Sequence, residues 1–157
     1  MQITCKDNNL VIKTGRTKIV LDSQIQIGEF KIPGPGEYEI TGVFAQGFSP
    51  KLFSFRTEGM LVVFFEPNRK DIEKNLDGLS ETEILILKNG ETDISKEVAE
   101  TLSRLEPKIV VPIGFKNIAK LMKSEGVVEE VESYKVSKQN LLAEGRKIIV
   151  LPCSKKV

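Results

Sequence analysis

Ile32-Pro33-Gly34-Pro35-Gly36-Glu37-Tyr38-Glu39-Ile40 is the stretch from which the fold is read. Proline presets φ and glycine accepts the positive-φ corner that other residues avoid, so two Pro-Gly pairs in succession predict a tight, reversing loop. Glu37 to Ile40 then alternates polar and apolar at the period of a half-buried strand, which is expected to continue through Thr41-Gly42-Val43-Phe44. A turn between strands is the plain reading of this loop.

Upstream, the chain reads as short strands joined by turns. Ile3 and Cys5, then Leu10 and Ile12, alternate with polar neighbours around the cluster Asp7-Asn8-Asn9. Thr14-Gly15-Arg16 predicts a second turn into Lys18-Ile19-Val20-Leu21, and Asp22-Ser23 breaks that strand. Ile25, Ile27, Phe30 and Ile32 predict a short strand before the Pro-Gly loop. Downstream, Phe48-Ser49-Pro50-Lys51 predicts a hairpin bend, and Glu58-Gly59 a turn. Met60 to Phe65 is unbroken and apolar, as in a strand covered on both faces.

Beyond Pro67-Asn68 the rhythm changes. Ile72, Leu76 and Leu79 sit at helical spacing, and Ile84 to Leu87 reads as a buried strand stopping at Asn89-Gly90. Asp93 is placed to N-cap a helix carrying Ile94, Val98, Leu102 and Leu105, ended by Pro107. Ile109-Val110-Val111 is a strand closed by Pro112. Ile118, Leu121 and Met122 predict a third helix capped by Gly126, and Val127 to Val131 and Lys147 to Leu151 the last strands. The expected class is therefore α/β (or α+β), one domain over residues 1–157, with two sheets face to face and helices outside at least one of them.

Composition bounds the function. The 157 residues carry 23 Lys and Arg against 22 Asp and Glu, and a net charge of +1 speaks against a nucleic-acid binder. There is no histidine, which removes the commonest general base and the commonest zinc ligand together. Cys5 and Cys153 lie in apolar runs and are expected as reduced thiols of a cytoplasmic protein, with pairing left open. No basic-then-apolar secretory leader is visible, and the Met60–Phe65 run is too short to cross a bilayer. Ser154-Lys155-Lys156-Val157 is expected to fray.

Several segments, in order, resemble the metallo-β-lactamase superfamily, in particular its branch of zinc-dependent hydrolases of the β-lactamase fold. They are the opening hairpin Met1–Thr4, Leu10–Gly15 and Lys18–Asp22; the entry Gly34-Pro35-Gly36-Glu37-Tyr38-Glu39-Ile40-Thr41-Gly42-Val43; and the step Leu105-Glu106-Pro107-Lys108-Ile109-Val110-Val111-Pro112. The resemblance implies a two-sheet sandwich with outer helices, here shortened in the first half. It also implies a metal-binding His-x-His-x-Asp-His block, but Asp22 is followed almost at once by the segment leading to Gly34. Positions matching ligand-bearing ends fall at Asp7-Asn8-Asn9, at Phe65-Glu66-Pro67-Asn68 and at Gly114. The remnant-cleft candidates are Asp22, Gly34, Gly36, Glu37, Glu66, Asn68 and Gly114.

A hydrolytic zinc needs about three protein ligands beside its water, mostly nitrogen or sulfur. The carboxylates Asp22, Glu37, Glu39, Glu66 and Asp71 suit Mg²⁺ or Ca²⁺ instead and have no metal-loop spacing. A Glu37–Glu66 acid–base pair has no spacing to support it, and Gly-x-Ser-x-Gly, phosphate-loop and dinucleotide motifs are missing. Phe44, Phe48, Phe53, Phe55, Phe64 and Phe65 read as mostly core rather than as a base-stacking platform. The expected protein has no catalytic residue, metal or cofactor. It acts by binding or self-assembly, as a homo-oligomer or with a protein partner and away from membranes. The alternatives are a hydrolase with a residual carboxylate-held metal and an RNA-associated accessory module.

Overall fold

The computed structural model describes residues 1–89, 95–116, 126–141 and 145–155. Its strands are β1 (Gln2–Lys6), β2 (Asn9–Lys13), β3 (Lys18–Leu21), β4 (Gln26–Ile27), β5 (Phe30–Lys31), β6 (Gly36–Ile40), β7 (Val43–Ser49), β8 (Leu52–Thr57), β9 (Met60–Phe65), β10 (Ile84–Lys88), β11 (Ile109–Ile113), β12 (Val127–Glu130), β13 (Ser133–Lys135) and β14 (Lys147–Val150). The helices are α1 (Arg69–Asn75) and α2 (Ser95–Leu105). One sheet has the order β13-β1-β2-β3-β4-β5; the other runs β12-β14-β11-β10-β9-β8-β7-β6.

The α/β class, and the sandwich with outer helices that the resemblance implies, are corrected here. The protein is mostly β, 47% strand against 20% helix, with two α-helices among the described residues. The physical cause lies in the turns. Asp7 and Asn8 (φ 53° and 65°), Thr41 and Gly42 (47° and 80°), and Glu58 and Gly59 (51° and 74°) all take positive φ. Positive φ at both central residues is the conformation of tight two-residue hairpins, so the first 65 residues spend themselves on antiparallel strands. The Thr41-Gly42 turn also overturns the expectation that the strand after the Pro-Gly loop runs on to Phe44. The signal was hidden because a β-branched threonine disfavours that backbone region.

The inner faces of both sheets share one core, in which Ile3, Leu10, Ile12, Ile19 and Ile27 meet Ala45, Phe55, Val62, Ile86 and Val111. A second cluster joins Leu61, Val63, Phe65, Leu85 and Val110 to Ile72, Leu76, Val98 and Leu102 of the helical segments. β9 is therefore buried at every residue, as its unbroken run predicts. Asn68 caps α1 by accepting from the Asp71 amide, and the following turn, Leu76–Leu79, tightens to a 3-10 helix.

Pro112 does not close β11; it lies inside the strand opposite Leu87 of β10. Pairing with β14 covers only Ile109 and Val110, so at Pro112 one side of β11 is free and the missing N–H breaks no ladder. β13 was not expected at all: Tyr134 pairs with Ile3 and returns the chain to the first sheet. The Asp93 cap with Ile94, the Gly90 stop and the helix at Ile118, Leu121 and Met122 lie outside the described residues.

Two expectations about the ends are also corrected. Cys5 and Cys153 form a disulfide, with Cα atoms 5.9 Å apart, rather than two thiols. The pairing of β1 with β2 and the turn after β14 bring the ends together, which spacing alone does not reveal. Ser154 is buried, its Oγ accepting from the Leu151 amide at 2.9 Å, and Lys155 bridges to Glu130 at 2.9 Å. The chain is thus anchored through Lys155. No helix among the described residues is long and apolar enough to cross a membrane.

Candidate functional site

The Pro-Gly loop, the β3–β4 connection and the ends of β9 and β10 enclose a cleft of about 390 Å³. Its floor is apolar. Phe53 and Phe64 face each other across β8 and β9, with Ile25 and Ile32 beside them. Its rim is charged, carrying Asp22, Glu66, Lys51 and Lys88. The volume falls in the range in which small ligands are held, about 300–1,000 Å³, and the lining mixes charged and apolar groups.

Each wall has a local cause. Tyr38 donates from its hydroxyl to the Gly34 carbonyl at 2.7 Å, tying the Pro-Gly loop back onto the strand it launches. Gly36 and Gly47 are register partners, and a Cβ on Gly47 would stand 2.9 Å from the Pro35 Cα and 2.5 Å from the Phe53 ring. Backbone therefore crosses backbone at a point where only glycine fits. The Ile32 amide donates to the Ile25 carbonyl at 2.9 Å and closes the opposite wall.

Glu66 and Lys51 are joined twice. The Glu66 amide donates to the Lys51 carbonyl at 3.0 Å, and Lys51 Nζ lies 3.6 Å from Glu66 Oε2. Asp22 accepts from the Ser23 amide at 2.6 Å. Lys88, half-buried at the end of β10, has no ion-pair partner among the described residues. Behind the rim lies a buried polar knot. Asp71 accepts from Ser49 Oγ and from Asn68 Nδ2, each at 2.7 Å, and Asn68 Nδ2 also donates to the Glu66 carbonyl at 3.2 Å.

Of the candidates read from the sequence, Asp22, Gly34 and Glu66 line the cleft. The other four do not. Gly36 takes φ 145°, where an added Cβ would stand 3.3 Å from the Tyr38 hydroxyl, Glu37 is exposed on β6 opposite Gln46, and Asn68 is spent on capping α1. Gly114 is held at the end of β11, where its carbonyl accepts from Asn89 Nδ2 at 3.0 Å and its amide donates to the Cys153 carbonyl at 3.2 Å. A Glu37–Glu66 pair is thus not assembled. Sequence reading missed Lys51 and Lys88, because strand-end lysines look like any solvated charge until the fold converges them. Of the phenylalanine cluster read as mostly core, Phe53, Phe55, Phe64 and Phe65 are buried, and Phe44 is the exception at 42% exposed.

The donor set suits a charged or polar ligand better than a metal. Among the described residues no three His, Cys, Asp or Glu side chains come together, and the two rim carboxylates, Asp22 and Glu66, are matched by two ammonium groups. An anionic head facing Lys88 with an apolar body against Phe53 and Phe64 satisfies both halves of the lining. Compared with protein-family models, curated proteins and solved structures, the chain matches none.

Proposed function

We propose that this chain is a non-catalytic binding protein whose cleft takes a small amphiphile carrying a carboxylate or similar anion. The observation that carries the reading is the half-buried Lys88, without an ion-pair partner among the described residues, lining the same cleft as Phe53 and Phe64, while Glu66 is paired with Lys51. A half-buried cation without a counter-ion gains most from an anion that reaches it in a partly desolvated site. The resemblance of these segments, in their order, to the metallo-β-lactamase superfamily supports descent from a metal-gripping ancestor through loss of the ligand block.

The test is a thermal-shift titration with phenylacetate beside calorimetric titrations with zinc and manganese. Phenylacetate raises the melting temperature of the wild type and not of Lys88→Ala. Stoichiometric uptake of either metal, abolished by Glu66→Gln, overturns the reading in favour of a residual hydrolase.

Self-assembly is a second reading, favoured by a separate observation. The eight-stranded sheet ends in β12, where Val127 and Val128 are 68% and 49% exposed, and in β6, whose outer side is unpaired among the described residues. Open edges and apolar surface invite a second chain. Sedimentation across a concentration series tests it, and a sedimenting mass that stays at 17.5 kDa throughout removes it.

A cytoplasmic site of action, as read from the sequence, must accommodate the Cys5–Cys153 disulfide, since reducing compartments keep most thiols unpaired. Alkylation of the protein in freshly lysed cells decides between them. Two labelled thiols support the cytoplasm, and none supports an oxidising compartment.

A further inference from the structure

Two surface patches of this chain complement one another and cannot meet within a single molecule. The first is a concavity of about 410 Å³ on the outer face of the six-stranded sheet. Its floor includes Val11 and Val20, and its rim carries Lys6, Lys13 and Lys18 with Asp7 as the single acid. Lys13 and Lys18 are direct cross-strand partners, a like-charge arrangement that costs stability unless something anionic lies between them. None of the three lysines has an ion-pair partner among the described residues.

The second patch is the outward face of β6 and β7. Glu37 and Glu39 stand on it two residues apart, both exposed and without cationic partners among the described residues. Phe44, the cross-strand neighbour of Glu39, projects between them and Arg56 of β8. Alternation sends Val43 and Ala45 into the core and Phe44 out, leaving a large ring in solvent with acids on one flank.

We infer that copies of this chain associate head to tail, Phe44 of one molecule entering the Val11–Val20 concavity of the next while Glu37 and Glu39 face Lys13 and Lys18. The inference rests on the assembly reading and names its contact. Apolar knob meets apolar floor, acids meet lysines, and Arg56 and Asp7 stand as the remaining opposite pair. Because the two patches differ, the contact is heterologous and propagates as a ring or an open array. A polyanion such as duplex nucleic acid is the rival occupant of the lysine rim. Asp7 on that rim, the matching acidic patch and the net charge of +1 favour a second copy.

The experiment is sedimentation velocity of the full chain at low and high salt, with two charge-reversed variants, E37K/E39K and K13E/K18E. All four side chains are exposed, and circular dichroism confirms that both variants are folded. The wild type is expected to sediment above 17.5 kDa at low salt and to dissociate at high salt. Each variant alone weakens association by more than about tenfold, because both of its patches then carry the same sign. Mixing the two variants restores association, since each now offers the other an opposite charge. Variants that associate as the wild type does overturn this contact while leaving assembly standing; a wild type that stays monomeric overturns both. A monomer that retards duplex DNA, with retardation lost in K13E/K18E, overturns the contact in favour of the polyanion.

Discussion

Ser49 Oγ donates a 2.7 Å hydrogen bond to Asp71 Oδ2, joining the last residue of β7 to the first turn of α1. The same hydroxyl accepts from the Lys51 amide at 3.1 Å, so one serine fixes both the bend that carries Lys51 and the helix behind Glu66. Asp71 is buried, without an ion-pair partner among the described residues, and is held by neutral donors and by the helix N-terminus it occupies. Asp71→Ala leaves the Ser49 hydroxyl and the Asn68 amide without their acceptor. It is expected to cost about 2–3 kcal/mol in urea denaturation, at the level of hydrogen bonds to a charged group. Ser49→Ala is expected to cost about half as much, and a loss below ~0.5 kcal/mol in both variants contradicts this role.

Gly47→Ala tests the backbone crossing that builds the cleft. The new methyl meets the Pro35 Cα and the Phe53 ring, and a backbone neighbour cannot swing aside as a flexible side chain does. A loss of about 1–3 kcal/mol is expected, with weaker phenylacetate binding because the Pro-Gly wall is displaced. Gly34→Ala, where a Cβ meets nothing within 4 Å, is the control with little effect on stability.

Cys5→Ser with Cys153→Ser removes a cross-link between residues 148 apart in sequence. Closing so long a loop restricts the unfolded chain strongly, and the double variant is expected to lose about 2–4 kcal/mol. Equilibrium denaturation with and without reductant measures it. Equal midpoints for reduced and oxidised wild type speak against the cross-link.

Lys147 joins the two sheets. Its ammonium lies 2.8 Å from Glu129 Oε2 and 5.9 Å from the centre of the Tyr134 ring, which belongs to the six-stranded sheet. The hydrogen bond to Glu129, aided by Tyr134, raises the Lys147 pKa above its ordinary 10.5. A raised folded-state pKa contributes stability that is complete below the unfolded value and disappears as pH rises through the folded one. Stability is therefore expected to fall above about pH 10.5 and to fall less steeply in Lys147→Met. Urea midpoints between neutral and strongly alkaline pH give the comparison, and identical alkaline slopes contradict the linkage.

Much of the strand order was legible because period and turn chemistry are local properties. Met60 to Phe65 announced burial on both faces, Glu58-Gly59 its hairpin, and Asn68 the start of α1. Thr41-Gly42 and Pro112 misled for the same reason. Each residue's habit was overridden by pairing, at Thr41-Gly42 by the adjacent strands β6 and β7 closing on each other and at Pro112 by β14, distant in sequence, stopping short. Phe44 misled because one side of a single strand decided its exposure.

Residue chemistry alone settled that this chain carries no imidazole and where its apolar runs and its Asp7-Asn8 and Glu58-Gly59 turns fall, since these are written in composition and short-range order. Tertiary structure alone decided which charges meet. Lys51 and Lys88 with Glu66 and Asp22, Ser49 with Asp71, and Cys5 with Cys153 are brought together by the folded backbone. Such convergence depends on sheet order and register, which arise from packing the whole core and have no counterpart in the spacing of residues along the chain.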